Sequence, residues 1–201
     1  MIKITPEMII AQPVCIPYTA DSIRSFFGEK THASPMQVLK FTRIPPADRL
    51  WVVFRTKSLP AKLLKMFAYQ LALNVCTIAE YAHLSGDKSS ECLELTKRYF
   101  AADGVSQAEL LASARAVAVM AESISPARPR GENIARALQV IAMAATHATK
   151  SSKLDAWTIS WMAGEANGAR TKSCVQWEHQ IALLMDLMRA SKQRNTGEQN
   201  G

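Results

Sequence analysis

From Pro60 onward, apolar residues recur at the spacing of a helix. In "LPAKLLKMFAYQLALNVCTIAEYAHL", Leu63, Leu64, Phe67, Leu71, Val75 and Ile78 fall on one side of a helical turn. Ser85-Gly86 stops that run. "ELLASARAVAVMAES" repeats the pattern through Leu110, Leu111, Ala114, Val117, Ala118 and Ala121. "SPARPRG" then breaks the chain, because two prolines and a glycine permit no helix. Further helices are predicted over "ENIARALQVIAMAATHATK", "LDAWTISWMAGEANGA" and "SCVQWEHQIALLMDLMRA".

The first sixty residues follow another grammar. Pro6, Pro13, Pro17, Pro35, Pro45, Pro46 and Pro60 each limit a helix upstream. "TPEMIIAQ" starts a short helix, with Thr5 as cap, Pro6 in the first turn and Glu7 matched to the dipole. "TADSIRSFFGE" is a second, ended at Gly28. The apolar run in "PPADRLWVVFRT" fits strand or helix, and the proline start followed by Ala and Asp favours helix. The fold class expected is all-α: an irregular bundle of about five longer helices preceded by a proline-rich cap of short ones. The divisions expected are a cap over 1–59, a helical domain over 60–190 and a mobile tail over 191–201, "SKQRNTGEQNG", which has nothing to bury.

"DKSSECLELTKRYFAADGVSQAEL" is dense in polar residues, and each has a structural task. Asp87 or Ser89 suits an N-cap. Leu93, Thr96, Lys97 and Phe100 mark the turns of a helix. Asp103-Gly104 closes it, with the glycine left-handed. Ser106-Gln107-Ala108-Glu109 opens the next helix as a capping box. The stretch reads as scaffold rather than as a site.

Composition narrows the chemistry. The chain has 201 residues, 48% of them hydrophobic, and few aromatics, so helix-favouring alanine, leucine and methionine carry much of the apolar content. There is no secretory signal and no apolar run near the length of a membrane span, so the expected address is the cytoplasm. Cys15, Cys76, Cys92 and Cys174 are far apart and expected reduced. No two of His32, His83, His147 and His179 lie at metal-binding spacing, and phosphate-loop and esterase signatures are missing. No catalytic residue, metal or cofactor is assigned.

The net charge of +7 and pI of about 9.4 favour an acidic partner, protein or nucleic acid. Arg128, Arg130 and Arg136, in and after the proline-broken linker, are the charged candidates for partner binding. Trp157 and Trp161, one turn apart, fit either core packing or a partner surface. Gly164 and Gly168 at the same spacing let another helix approach.

The order "KLLKMFAYQLALNV", then "DKSSECLELTKRYFAADGVSQAELLASARAVA", then an alanine-rich stretch, then "QWEHQIALLMDLM" resembles a family of alanine-rich helical proteins described as immunity proteins or immunity-protein-like domains. Relatives occur in phage genomes and bacterial toxin neighbourhoods. The similarity runs from about Ser58 to Arg189, and Gln180 is among its most recognisable parts. The N-terminal region lies outside it. The resemblance implies an all-α fold, no established catalytic residues, and a role in binding and neutralising a toxin or, in phage-borne members, a host-defence component. The expected function is therefore a non-enzymatic interaction protein acting on such a target. A basic nucleic-acid-associated protein is the alternative, and an enzyme of unknown class the third.

Overall fold

Ten helices and no strand make up the described residues of the computed structural model, which are 2–12, 18–80, 88–126, 131–149, 153–166 and 174–197. The helices are α1 (Pro6–Ile10), α2 (Ala20–Phe27), α3 (Pro35–Leu39), α4 (Pro46–Arg55), α5 (Ala61–Glu80), α6 (Lys88–Phe100), α7 (Gln107–Ser123), α8 (Gly131–Thr149), α9 (Lys153–Ala166) and α10 (Cys174–Gly197). The all-α class expected from the periodicity is what the chain forms. Among the described residues, no helix is long and apolar enough to cross a membrane. Residues divide into two compact units: 1–64 with 177–201, and 65–176. The division runs through α5 and α10.

In the first unit the caps set the short helices. Thr5 accepts the Met8 N–H at 3.3 Å and starts α1; Thr19 accepts the Ser22 N–H at 3.2 Å and starts α2. Gly28, at φ 58°, ends α2. The helix α3 was not visible in the apolar pattern, being a single turn. Its start is a full capping box: Gln37 N–H donates to Ser34 Oγ at 3.2 Å, and Ser34 N–H donates to Gln37 Oε1 at 2.7 Å. Ile4 and Ala33 exchange two backbone hydrogen bonds of 2.8 Å in an isolated antiparallel bridge.

The strand-or-helix ambiguity of "LWVVF" has a physical resolution. All of Arg49 to Phe54 are buried in α4, so over these residues the helix is enclosed on every side rather than along one stripe. Thr56 Oγ1 donates to the Val52 carbonyl at 2.8 Å, and Ser58 Oγ donates to the Val53 carbonyl at 3.0 Å. The Val52 carbonyl also accepts the Thr56 N–H at 3.0 Å, whereas the Ser58 hydroxyl supplies the Val53 carbonyl that the helix end leaves open. The last stretch of α10 also belongs to this unit. It is helical through 191–197, within the stretch 191–201 expected as a tail, and Lys192, Gln193 and Arg194 there are good helix formers.

In the second unit α8 is central, packing against α6, α7 and α9. Its buried face includes Ala137, Ala142, Ala144, Ala145 and Ala148 beside Leu138, Val140 and Ile141. Small side chains bring helix axes close, which explains why an alanine-rich sequence still packs. Leu110, Ala114, Val117 and Ala121 form the buried stripe of α7 at the spacing expected. Burying a leucine or valine of this stripe stabilises by about 1.5–3 kcal/mol.

The α6–α7 turn departs from the sequence expectation in one detail. Gly104 is left-handed at φ 66°, as expected, but Ala102 is left-handed too, at φ 56°. The Ala102 N–H donates to the Tyr99 carbonyl at 3.2 Å and the Asp103 N–H to the Arg98 carbonyl at 3.0 Å. That pair of bonds is the Schellman ending, with alanine at the position glycine usually takes. Ser106 caps α7 by accepting the Glu109 N–H at 3.1 Å. This is the serine half of the box; the reciprocal bond from the N-cap N–H to Glu109 is not formed.

Candidate functional site

The positive charge is unevenly distributed between the units. Residues 1–64 with 177–201 hold twelve Lys and Arg against seven Asp and Glu, a net of +5; residues 65–176 hold twelve against ten, a net of +2. Candidate interaction chemistry therefore concentrates in the first unit.

There α3, from its N-cap Ser34 to its C-cap Lys40, and α10 around 188–192 line a groove of about 420 Å³, formed by Ser34, Met36, Lys40, Met188, Arg189 and Lys192. Its floor is apolar: Met188 is 1% exposed and Met36 is half-buried. Its rim is basic. Lys40 is exposed and makes no ion pair among the described residues. Arg189 Nη1 meets Asp186 Oδ1 at 2.6 Å on the exposed face of α10. An exposed pair of this kind is worth at most about 1 kcal/mol, so a competing carboxylate can displace it. A second hollow of about 240 Å³, lined by Phe26, Lys40, Phe41, Thr42 and Arg43, shares Lys40 with the first.

The backbone beneath Lys40 is fixed from below. Lys40 is the C-cap of α3, and its N–H donates to the Gln37 and Val38 carbonyls. One residue earlier, the Leu39 carbonyl accepts a 2.7 Å hydrogen bond from Nη1 of Arg49, which is 3% exposed. Arg49 Nη2 pairs with Glu178 Oε1 on α10, and its Nε is buried without a partner. A buried arginine was not anticipated from sequence, where it reads with Asp48 as a charged pair ahead of the apolar run from Leu50.

Under the second hollow the aromatic core continues. Tyr18 and Phe26 stack edge to face with centroids 5.5 Å apart, as do Phe27 and Phe41 at 5.7 Å. They surround a void of about 20 Å³, room for one water at most. Tyr18 Oη donates to Asp48 Oδ2 at 2.9 Å. Burial, then the hydrogen bond and the negative charge of Asp48, push the Tyr18 phenol up to about 12. The void is too small for a substrate, and the Tyr18–Asp48 pair serves packing.

Of the residues singled out from sequence, Arg128 and Arg130 lie outside the described residues. Arg136 is held between two carboxylates: its Nη2 donates to Glu132 Oε1 at 2.6 Å, and its Nη1 pairs with Glu165 Oε2. Locally that cluster sums to one negative charge, and it ties α8 to α9. Trp157 and Trp161 are neighbours, with centroids 6.1 Å apart and rings tilted by 49°. Trp161 is 48% exposed.

Cys76 and Cys92 are buried and form no disulfide. Burial pushes the Cys92 thiol up, the Ser113 hydrogen bond pulls it down and Glu91 raises it, with a net rise. A thiol held protonated is a poor nucleophile. Cys15 and the side chain of Cys174 lie outside the described residues. His32 and His179 are exposed, His147 is buried in α8, and His83 lies outside the described residues. Among the described residues, no three His, Cys, Asp or Glu side chains converge as a metal site. No protein-family model, curated protein or solved structure matches this chain.

Proposed function

We propose that this chain is a non-enzymatic interaction protein that binds an acidic surface of another protein and neutralises it. The observation that carries the binding half is the net +5 of the first unit, with Lys40 and Arg43 exposed on it and lining cavities. Such a field steers an acidic partner toward one unit of the molecule and accelerates encounter. The neutralising half, with a toxin or a host-defence component as target, rests on the resemblance of residues from about Ser58 to Arg189 to immunity-protein-like domains. The half-exposed Trp161 beside Trp157 offers a further anchor, since interfaces favour tryptophan.

Capture from host lysate with the tagged full-length chain tests this proposal. One protein should be retained at near-equal stoichiometry, and its activity should fall when the complex forms. Association should slow as salt rises from roughly 50 to 200 mM, while dissociation changes little. Retention of nucleic acid instead of protein, with binding collapsing over the same salt range, would favour the nucleic-acid alternative.

A further inference from the structure

We infer that the groove between α3 and α10 around 188–192 docks a segment of the partner in which carboxylates alternate with apolar side chains. This rests on the proposed binding of an acidic protein and specifies what that protein presents. Two features meet in the groove. Its floor is methionine: half-buried Met36 is open to a ligand and Met188, 1% exposed, closes the base beside it; methionine is unbranched and polarizable, suited to receiving apolar side chains of varied shape. Its rim carries Lys40, Arg189 and Lys192.

A purely acidic ligand would use the rim and leave the floor wet. A purely apolar one would bring no charge to meet Lys40, which is exposed and makes no ion pair among the described residues. Only a segment carrying both satisfies both. Lys40 stands between this groove and the hollow of Phe26, Phe41 and Arg43. One carboxylate on Lys40 therefore lies between the methionine floor and the mixed hollow of Phe26, Phe41, Thr42 and Arg43, and a second falls to Arg43 or Arg189. Arg189 exchanges its exposed contact with Asp186 for the incoming carboxylate and regains a charge-assisted bond. A nucleic-acid backbone supplies the negative charge but no apolar side chain for the methionine floor.

The test uses the full-length chain labelled with ¹³C at the methyl groups of its nine methionines. The probes are a short peptide alternating Glu with Leu, the same peptide with Gln for Glu, the same with Ser for Leu, and a single-stranded oligonucleotide of equal charge. The Glu/Leu peptide should shift the Met36 and Met188 methyls saturably, and the Gln and Ser analogues should bind about tenfold more weakly or not at all. Lys40→Glu, at an exposed position, should keep the fold and weaken the Glu/Leu peptide by about tenfold. Three results overturn the inference: equal binding by the Ser analogue, a tighter oligonucleotide that moves the same two methyls, or no movement of those methyls. Failure here is separable from failure of the proposed function. A partner captured equally well by Lys40→Glu removes the groove and leaves the interaction role standing. Peptide docking without any captured protein does the reverse.

Discussion

Replacing Ala102 by glycine should stabilise this protein, although it removes a side-chain atom. Ala102 sits at φ 56°, on the exposed end of α6, held there by the two Schellman hydrogen bonds from Ala102 and Asp103. An L-residue pays about 1–2 kcal/mol for the left-handed conformation because its Cβ crowds the following carbonyl. Glycine removes that cost but gives back about 0.4–1 kcal/mol through a freer unfolded chain. The net expectation is a gain of about 0.5–1 kcal/mol. Two residues on, Gly104→Ala supplies the mirror experiment. A Cβ at Gly104 meets nothing within 4 Å, so its cost is backbone strain alone, at φ 66°. It should destabilise by about 1 kcal/mol, and Gly104→Val by more, since a β-branched residue resists the left-handed region further. Urea unfolding of the full chain reads both. With a slope of about 2 kcal/mol per molar, Ala102→Gly should raise the midpoint by about 0.3–0.5 M. Unchanged or lower midpoints for Ala102→Gly, with Gly104→Ala neutral, would show that the turn is not held in this conformation in solution.

Ser34→Ala removes the hydroxyl of the α3 capping box and should cost about 1 kcal/mol, seen as a lower urea midpoint. Arg49→Ala leaves the buried Leu39 carbonyl without its donor and Glu178 without its partner. Because Glu178 is half exposed and regains water, we expect a loss of about 2–3 kcal/mol by denaturant unfolding, the low end for a broken buried pair. Tyr18 titrates near 12 when folded and near 10 when unfolded, so the unfolded chain loses that proton first and stability falls as pH rises from 10 towards 12. Melting temperatures across that window should fall less steeply in Tyr18→Phe; a slope that remains wholly unchanged would remove Tyr18 from the linkage.

Local chemistry was legible in the sequence wherever one residue decides it. Thr5 and Thr19 cap because their side chains reach their own helix, Gly28 stops α2 because it alone takes φ 58° freely, and the stripe Leu110–Ala114–Val117–Ala121 buries because period and composition agree. What failed to show did so for physical reasons. A single turn such as α3 is too short to display a period, and only Ser34 with Gln37 three residues on signals it. Asp103-Gly104 draws the eye to the glycine, and nothing marks Ala102 as left-handed, because that conformation is imposed by the path from α6 into α7. Arg49 reads with Asp48 as charge ahead of an apolar run until its two acceptors are known. The groove joins Met36 and Lys40 to Met188 and Arg189, which lie at opposite ends of the chain, so no local pattern could have brought them together. Of the net charge of +7, five units belong to residues 1–64 with 177–201, the unit that holds the groove.

In the proposed docking role of the groove, Arg49 joins fold to function. Burying an arginine is expensive, and an apolar residue of similar volume often gives equal or greater stability, so stability alone does not explain a guanidinium at 3% exposure. What Arg49 supplies is position. One arm grips the Leu39 carbonyl, the residue before Lys40, and the other reaches Glu178 on α10, the helix that carries Met188 and Arg189. Both walls of the groove are thus referred to one planar group, whose donors have fixed directions. A methionine there would fill the space and exert no directional hold on either wall. Binding would then require the walls to be ordered as the partner arrives, and that ordering would be subtracted from the affinity. The buried charge keeps the basic rim set over its apolar floor before any partner arrives.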